Sequence, residues 1–130
     1  MKVLAVDDNE TNLEVMRNLC DVMGLECDVA RDGAEALERA AAGDYDLILM
    51  DICMPIMDGL EATLAIRRLS GAAGLTPVIA VTANAEYADA TRYRNAGISA
   101  VVSKPVNIVE LMGAMQAALD PEVGAAKSAA

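Results

Sequence analysis

Two stretches of this 130-residue chain, Leu47-Ile48-Leu49-Met50 and Val78-Ile79-Ala80-Val81, are apolar at every position. A strand with one wet face alternates apolar and polar residues, whereas a strand covered on both faces reads as a continuous apolar run. Such strands belong inside a parallel sheet with helices above and below it. Further β-branched runs near 3–6, 25–30 and 98–103 supply three more strands, and the two apolar runs extend to about 46–50 and 77–82.

The intervening segments carry helical spacing. The first, Glu10 to Met23, aligns Leu13, Met16, Leu19, Cys20 and Met23 and stops at Gly24. The second, Ala34 to Ala42, carries Ala36, Leu37, Ala40 and Ala41 and stops at Gly43. The third follows Asp58-Gly59 with Leu60, Leu64 and Ile66 or Leu69; the fourth, Glu86 to Ala96, is weakly patterned and ends at Gly97. The fifth, Ile108 to Leu119, carries Ile108, Leu111, Met112, Met115 and Leu119. Five strands alternating with five helices predict an α/β doubly wound (βα)5 flavodoxin-like three-layer sandwich with sheet order 2-1-3-4-5. Residues 1–119 are expected to form one domain. Residues 120–130, where Asp120-Pro121 stops the last helix and small residues follow, are expected to be a disordered tail or linker remnant.

Composition narrows the function. Hydrophobic residues make up 55% of the chain but aromatics only 2%, so Ala, Leu, Val, Ile and Met must fill the core. A net charge of −10 opposes binding to nucleic acid or anionic membranes and favours a protein partner. There is no His, which removes His-ligated metal sites, Ser-His and Cys-His nucleophiles and any phosphohistidine donor role. Cys20, Cys27 and Cys53 are odd in number and form no C-x-x-C, so reduced thiols in or near the core are expected. No run approaches the ~20 apolar residues of a membrane span. Val3–Val6 is too short for a signal peptide. The expectation is a cytoplasmic domain that makes no membrane contact.

The strand ends carry the chemistry. Four apolar runs stop at useful polar groups: Asp7-Asp8, Asp51, Thr82 and, through Ser103, Lys104-Pro105. In the 2-1-3-4-5 order, strands 1 and 3 are neighbours where the winding reverses, and a crevice opens outside their carboxyl ends. Two carboxylates ~4 Å apart repel by about 4 kcal/mol at an effective dielectric of ~20. Asp7, Asp8 and Asp51 gathered there must protonate, spread or hold a cation. An all-oxygen donor set favours a hard ion, Mg²⁺ or Mn²⁺ first and Ca²⁺ second. Asp8 taken alone can also be read as a helix N-cap. Lys104 suits a phosphoryl oxygen as a point charge, and its bond to Pro105 tolerates the cis form. The Thr82 hydroxyl can donate to an anion. The loop 51–59 is unusually apolar, with Pro55 and Gly59 shaping it, and its carbonyls can supply a further metal ligand. Cys53 has no accompanying base and is not read as a nucleophile.

These motifs resemble the response-regulator receiver domain, and most of all receivers of hybrid sensor histidine kinases. The resemblance spans about residues 2–119. It rests on Val6-Asp7-Asp8-Asn9 with Asn12, Leu49-Met50-Asp51-Ile52 with Met54-Pro55, Met57-Asp58-Gly59, Val81-Thr82-Ala83-Asn84 and Ser103-Lys104-Pro105. It implies a phosphoacceptor signalling domain rather than an enzyme with turnover. Asp51 would take a phosphoryl group from a phosphohistidine on a histidine kinase dimerisation domain or a histidine phosphotransfer protein. Asp7, Asp8, Asp51 and the Cys53 carbonyl would bind Mg²⁺. Lys104, Thr82 and the Ala83 amide would contact the phosphoryl group. Docking is expected near the crevice and the first helix, whose exposed positions beside Asn12 are read as polar.

One position departs from the family pattern. Many receivers place Tyr or Phe three residues before the lysine, and here Val101 stands there. One charge-assisted bond from Thr82 is worth about 1.5–3 kcal/mol, whereas a switch from 1:99 to 99:1 needs ~5.5 kcal/mol. A partial shift of the fourth-helix and fifth-strand surface is therefore expected. Two competing readings have specific weaknesses. A haloacid-dehalogenase-like phosphohydrolase would carry a second Asp where Cys53 stands, and a pure interaction module would have lost one of the polar strand-end residues, all of which are present.

Overall fold

The computed structural model describes residues 1–52, 58–83 and 90–119. The strands are β1 (Lys2–Val6), β2 (Glu26–Ala30), β3 (Leu47–Asp51), β4 (Val78–Thr82) and β5 (Ala100–Ser103). The helices are α1 (Glu10–Val22), α2 (Gly33–Ala42), α3 (Gly59–Arg67), α4 (Ala90–Ala96) and α5 (Ile108–Leu119), with a short 3₁₀ turn at Gly71–Leu75. All strand pairs are parallel, in the order β2-β1-β3-β4-β5. The sequence reading therefore gave the correct architecture. It began the last strand too early: Ile98 and Ser99 form the connection, bonding to the Tyr93 and Val78 carbonyls.

The period of two along each strand divides the core into two halves. Leu4, Val6, Ile48, Met50, Val78 and Ala80 meet Ala36, Ala40, Leu60 and Ile66 on one face. Val3, Ala5, Leu47, Leu49, Ile79 and Val81 meet Leu13, Met16, Cys20, Leu111 and Met115 on the other. Strands β3 and β4 are buried at every residue, which explains their uninterrupted apolar sequence.

Periodicity placed the helical stripes correctly but not their margins. Leu64 and Met112, assigned to buried stripes, are 42% and 54% exposed, and Ala41 also faces outward. Each lies at the flank of an apolar arc whose centre is taken by Leu60 and Ile66, by Leu111 and Met115, or by Ala36 and Ala40. Gly24 and Gly97 stop α1 and α4 with φ of 74° and 93°, a region that side chains with a Cβ avoid. The 86–89 part of the predicted fourth helix and the 120–130 tail lie outside the described residues. Among the described residues, no helix is long and apolar enough to cross a membrane.

Arg67, at the end of α3, holds the connections together. Its guanidinium donates to the carbonyls of Gly74 (3.2 Å), Thr76 (2.7 Å) and Gly97 (2.7 Å). Burial pulls its pKa below the usual arginine range. The α4–β5 turn is thereby tied to α3.

Candidate functional site

The strand ends meet as the topology requires. Val6 pairs with Met50, Asp51 with Val81, and Thr82 with Ser103, so the residues following β1 and β5 flank those ending β3 and β4. One carboxylate oxygen from each of Asp7, Asp8 and Asp51 lies within 4.8 Å of the others. Lys104 Nζ is 2.9 Å from Asp51 Oδ1 and 3.4 Å from Asp7 Oδ2. Asp7 and Asp51 are almost fully buried, whereas Asp8 is exposed.

Local sequence explains each placement. The Asn9 side chain accepts from the Thr11 and Asn12 amides and caps α1. The cap role open to Asp8 is thus filled by its neighbour, and the Asp8 carboxylate joins the acidic cluster instead. Asp7 Oδ1 accepts from the Asn9 amide at 2.9 Å. Among the described residues, Asp7 Oδ2 is buried without a hydrogen bond, with Lys104 as its ion-pair partner. A buried carboxylate oxygen in that condition, inside an all-oxygen cluster, suits a small hard cation. Asp7, Asp8 and Asp51 are the described residues able to hold it. The Cys53 carbonyl, the remaining predicted ligand, lies outside the described residues, as do Met54, Pro55, Met57 and Asn84.

Burial by itself lowers the pKa of the Lys104 ammonium. The hydrogen bond and charge of Asp51, with the charge of Asp7, outweigh burial and hold it above the ordinary lysine value. Lys104 therefore stays a cation while it sits against both carboxylates. Its peptide bond to Pro105 is cis.

Thr82 is buried at the end of β4, and its carbonyl accepts from the Lys104 amide at 2.8 Å. Ala83 follows it at the surface. Val101 pairs with Ala80 and packs on the α2–α4 half of the core, with Tyr93 in the same cluster. Val15, one turn after Asn12, is exposed, so the α1 surface beside the crevice is not purely polar as expected.

Gly59, expected to shape the loop, has a sharper role, and Glu110 is a positioning residue that carried no expectation. A Cβ on Gly59 would lie 2.3 Å from the Asp51 carbonyl oxygen, so the start of α3 reaches the acidic strand end only because that side chain is absent. Glu110 accepts from the Ser103 amide at 2.8 Å while its own amide is capped by Asn107 Oδ1. It thereby fixes the loop that carries Lys104. The Asn107-x-x-Glu110 spacing resembles a capping box and was the available signal.

Comparison with known proteins agrees with this geometry. The sequence profile of the response regulator receiver domain matches residues 3–116. Aerobic respiration control sensor protein ArcB of Escherichia coli is 39% identical over 111 residues, covering 85% of this chain and 14% of that protein. Hybrid signal transduction histidine kinase G of Dictyostelium discoideum is 38% identical over 113 residues, covering 85% of this chain and 3% of that protein. The chain thus spans a small fraction of these curated relatives. Chemotaxis protein CheY4 of Vibrio cholerae superposes with a TM-score of 0.83 at 30% identity, covering 91% of this chain and 98% of that one. The receiver domain of sensor histidine kinase PA1611 from Pseudomonas aeruginosa, solved with a magnesium ion in its active site cleft, gives 0.81 at 33% identity, covering 91% and 96%. With a profile match over most of its length and relatives well above 30% identity, the chain belongs to the response regulator receiver domain family of two-component and phosphorelay signalling.

Proposed function

We propose that residues 1–119 act as a phosphoacceptor domain in which Asp51 takes a phosphoryl group from a phosphohistidine on a partner. The observation that carries this reading is the contact of Lys104 Nζ with Asp51 Oδ1 at 2.9 Å inside the Asp7–Asp8–Asp51 cluster. A carboxylate oxygen of Asp51 attacks phosphorus, the P–N bond breaks, and the imidazole leaves with the bonding pair. The product is an acyl phosphate. Lys104 neutralises charge gathering on the phosphoryl oxygens, and the Thr82 hydroxyl and Ala83 amide donate to them. Asp7 and Asp8, with Asp51 and the Cys53 carbonyl, hold Mg²⁺, or Mn²⁺ in its place. The bound ion supplies positive charge that lets anionic carboxylate and anionic phosphoryl group approach.

The donor is a histidine kinase dimerisation domain or a histidine phosphotransfer protein, because this chain has no His. The net charge of −10 opposes a nucleic acid partner. Self-catalysed loss of the phosphoryl group to water, rather than turnover of free substrates, resets the domain.

Intact mass after incubation with acetyl phosphate and Mg²⁺ tests the reading. Wild type gains one phosphoryl group, Asp51→Asn gains none and stays folded, and Asp8→Ala gains it slowly and needs more Mg²⁺. Labelling of Asp51→Asn, or unchanged Mg²⁺ affinity in Asp8→Ala, defeats the respective assignment. With Val101 in place of an aromatic ring, phosphorylation moves the α4–β5 surface part of the way. Amide chemical shifts of the phosphorylated domain should fall between the two end states, and a complete two-state switch contradicts this.

A further inference from the structure

Asn12, half-buried in the first turn of α1, holds neither the acids nor the ammonium. Its backbone amide bonds to Asn9 Oδ1 at 3.2 Å. Among the described residues its side-chain amide makes no hydrogen bond. Asn12 shares one side of α1 with Val15 and Met16, three and four residues further on. Pro105 and Val106, after β5, stand across from that side, and a slot of about 50 Å³ lies between the two walls. Asp7 and Lys104 line it too, so it continues the acidic cluster. Val15 and Pro105 are exposed at its rim. The space is several times the ~10–15 Å³ that one water needs, the size of a small flat ring.

The phosphoacceptor reading requires an imidazole to leave. When the P–N bond breaks, the electron pair stays on nitrogen. The ring departs as neutral imidazole only if its other nitrogen already carries a proton; without that proton imidazolate must leave, and it is a far poorer leaving group. Such a ring needs apolar walls for its carbon edges and one acceptor for its remote N–H. Val15, Pro105 and Val106 supply the walls. Lys104 has no acceptor to offer. The Asp7 carboxylate is engaged by the Asn9 amide and the Lys104 ammonium. The Asn12 side chain is the remaining polar group of the slot.

We propose that this slot receives the imidazole of the phosphoryl donor, and that Asn12 Oδ1 accepts the N–H of the ring nitrogen remote from phosphorus. The role rests on the phosphoacceptor reading: Asn12 orients the leaving ring and keeps its proton in place while the Asp51 oxygen attacks. A donor without an imidazole gains nothing from it.

Two small donors separate this role from a structural one. Labelling rates of the full chain are measured by intact mass, with Mg²⁺, from phosphoimidazole and from acetyl phosphate, and their ratio is compared between variants. Asn12→Ala should lower the ratio about tenfold, the weight of one charge-assisted hydrogen bond, while its labelling by acetyl phosphate matches wild type and shows that it is folded. Asn12→Asp keeps an acceptor and should keep the ratio within about threefold of wild type, well inside the span of that bond. An unchanged ratio in Asn12→Ala overturns the proposal, as does an equal fall in both variants. Wild type that labels from acetyl phosphate but not from phosphoimidazole overturns the slot alone. Wild type that labels from neither defeats the phosphoacceptor reading, and the role of Asn12 falls with it.

Discussion

Two charged clusters sit near opposite ends of the same sheet, and they are built differently. Around Lys2, the Asp46 carboxylate accepts from the Lys2 amide at 2.8 Å, and Tyr45 donates to Asp28 Oδ2 at 2.7 Å. The Lys2 ammonium stands 3.7 Å from Asp28 and 5.0 Å from the centre of the Tyr45 ring. Its acids have donors and its ions reach water. At the carboxyl ends, three carboxylates face one ammonium, and two of the three are buried. The first cluster is satisfied by its own chain. The second keeps an excess of negative charge, and that excess gives a cation and a phosphoryl group a reason to bind there.

The largest test of this contrast is a pair of glycines. A methyl group on Gly59 meets the Asp51 carbonyl oxygen, part of a central strand that cannot yield, whereas one on Gly43 chiefly meets the Tyr45 ring edge, 2.6 Å away, which can rotate aside. Gly59→Ala should cost about 3 kcal/mol in urea unfolding and slow Asp51 labelling, and Gly43→Ala about 1 kcal/mol with labelling unchanged. Equal costs would mean that the two ends are equally compliant.

Removing the cation from each cluster comes next. Lys104→Met leaves Asp7 and Asp51 buried without their ammonium. Stability in the absence of divalent ions should fall by about 2 kcal/mol, below the buried-pair range because Lys104 reaches solvent. Added Mg²⁺ should recover part of the loss. Lys2→Met breaks an exposed pair and should cost under about 1 kcal/mol, with no response to Mg²⁺. A Mg²⁺ response in the Lys2 variant would break the contrast.

The smallest effect is in the alkaline limb. Since the carboxylates raise the folded pKa of Lys104 above its ordinary 10.5, the stability it contributes is complete below the unfolded pKa and drains as pH climbs through the folded one. The stability difference between wild type and Lys104→Met should therefore persist up to about pH 10 and shrink above it. A difference that stays undiminished at higher pH would show that the charge of Lys104 is not its source.

The apolar runs announced the site because a strand buried on both faces can place polar groups only where it ends. Asp7, Asp51, Thr82 and Lys104 were visible for that reason. Asp8 was assigned to the metal cluster only together with Asp7 and Asp51, because an acid after a strand can also cap a helix, and in the fold Asn9 takes that cap. Leu64 and Met112 were misassigned because helical periodicity fixes the centre of a stripe but not how far the neighbouring layer reaches. Arg67 gave no signal at all, since its three partners are backbone carbonyls that come near it only after the chain has folded.

Local sequence thus determined the number of layers, the alternation of strand and helix, and the polar residues that end each strand. It could do so because two-residue and 3.6-residue periods are properties of the backbone alone. Tertiary structure decided which carboxylate was left free of a capping role, which glycine had to lack a side chain, and which carbonyls came to face Arg67. Those outcomes depend on distances between segments remote in sequence, and such distances exist only once the sheet has assembled.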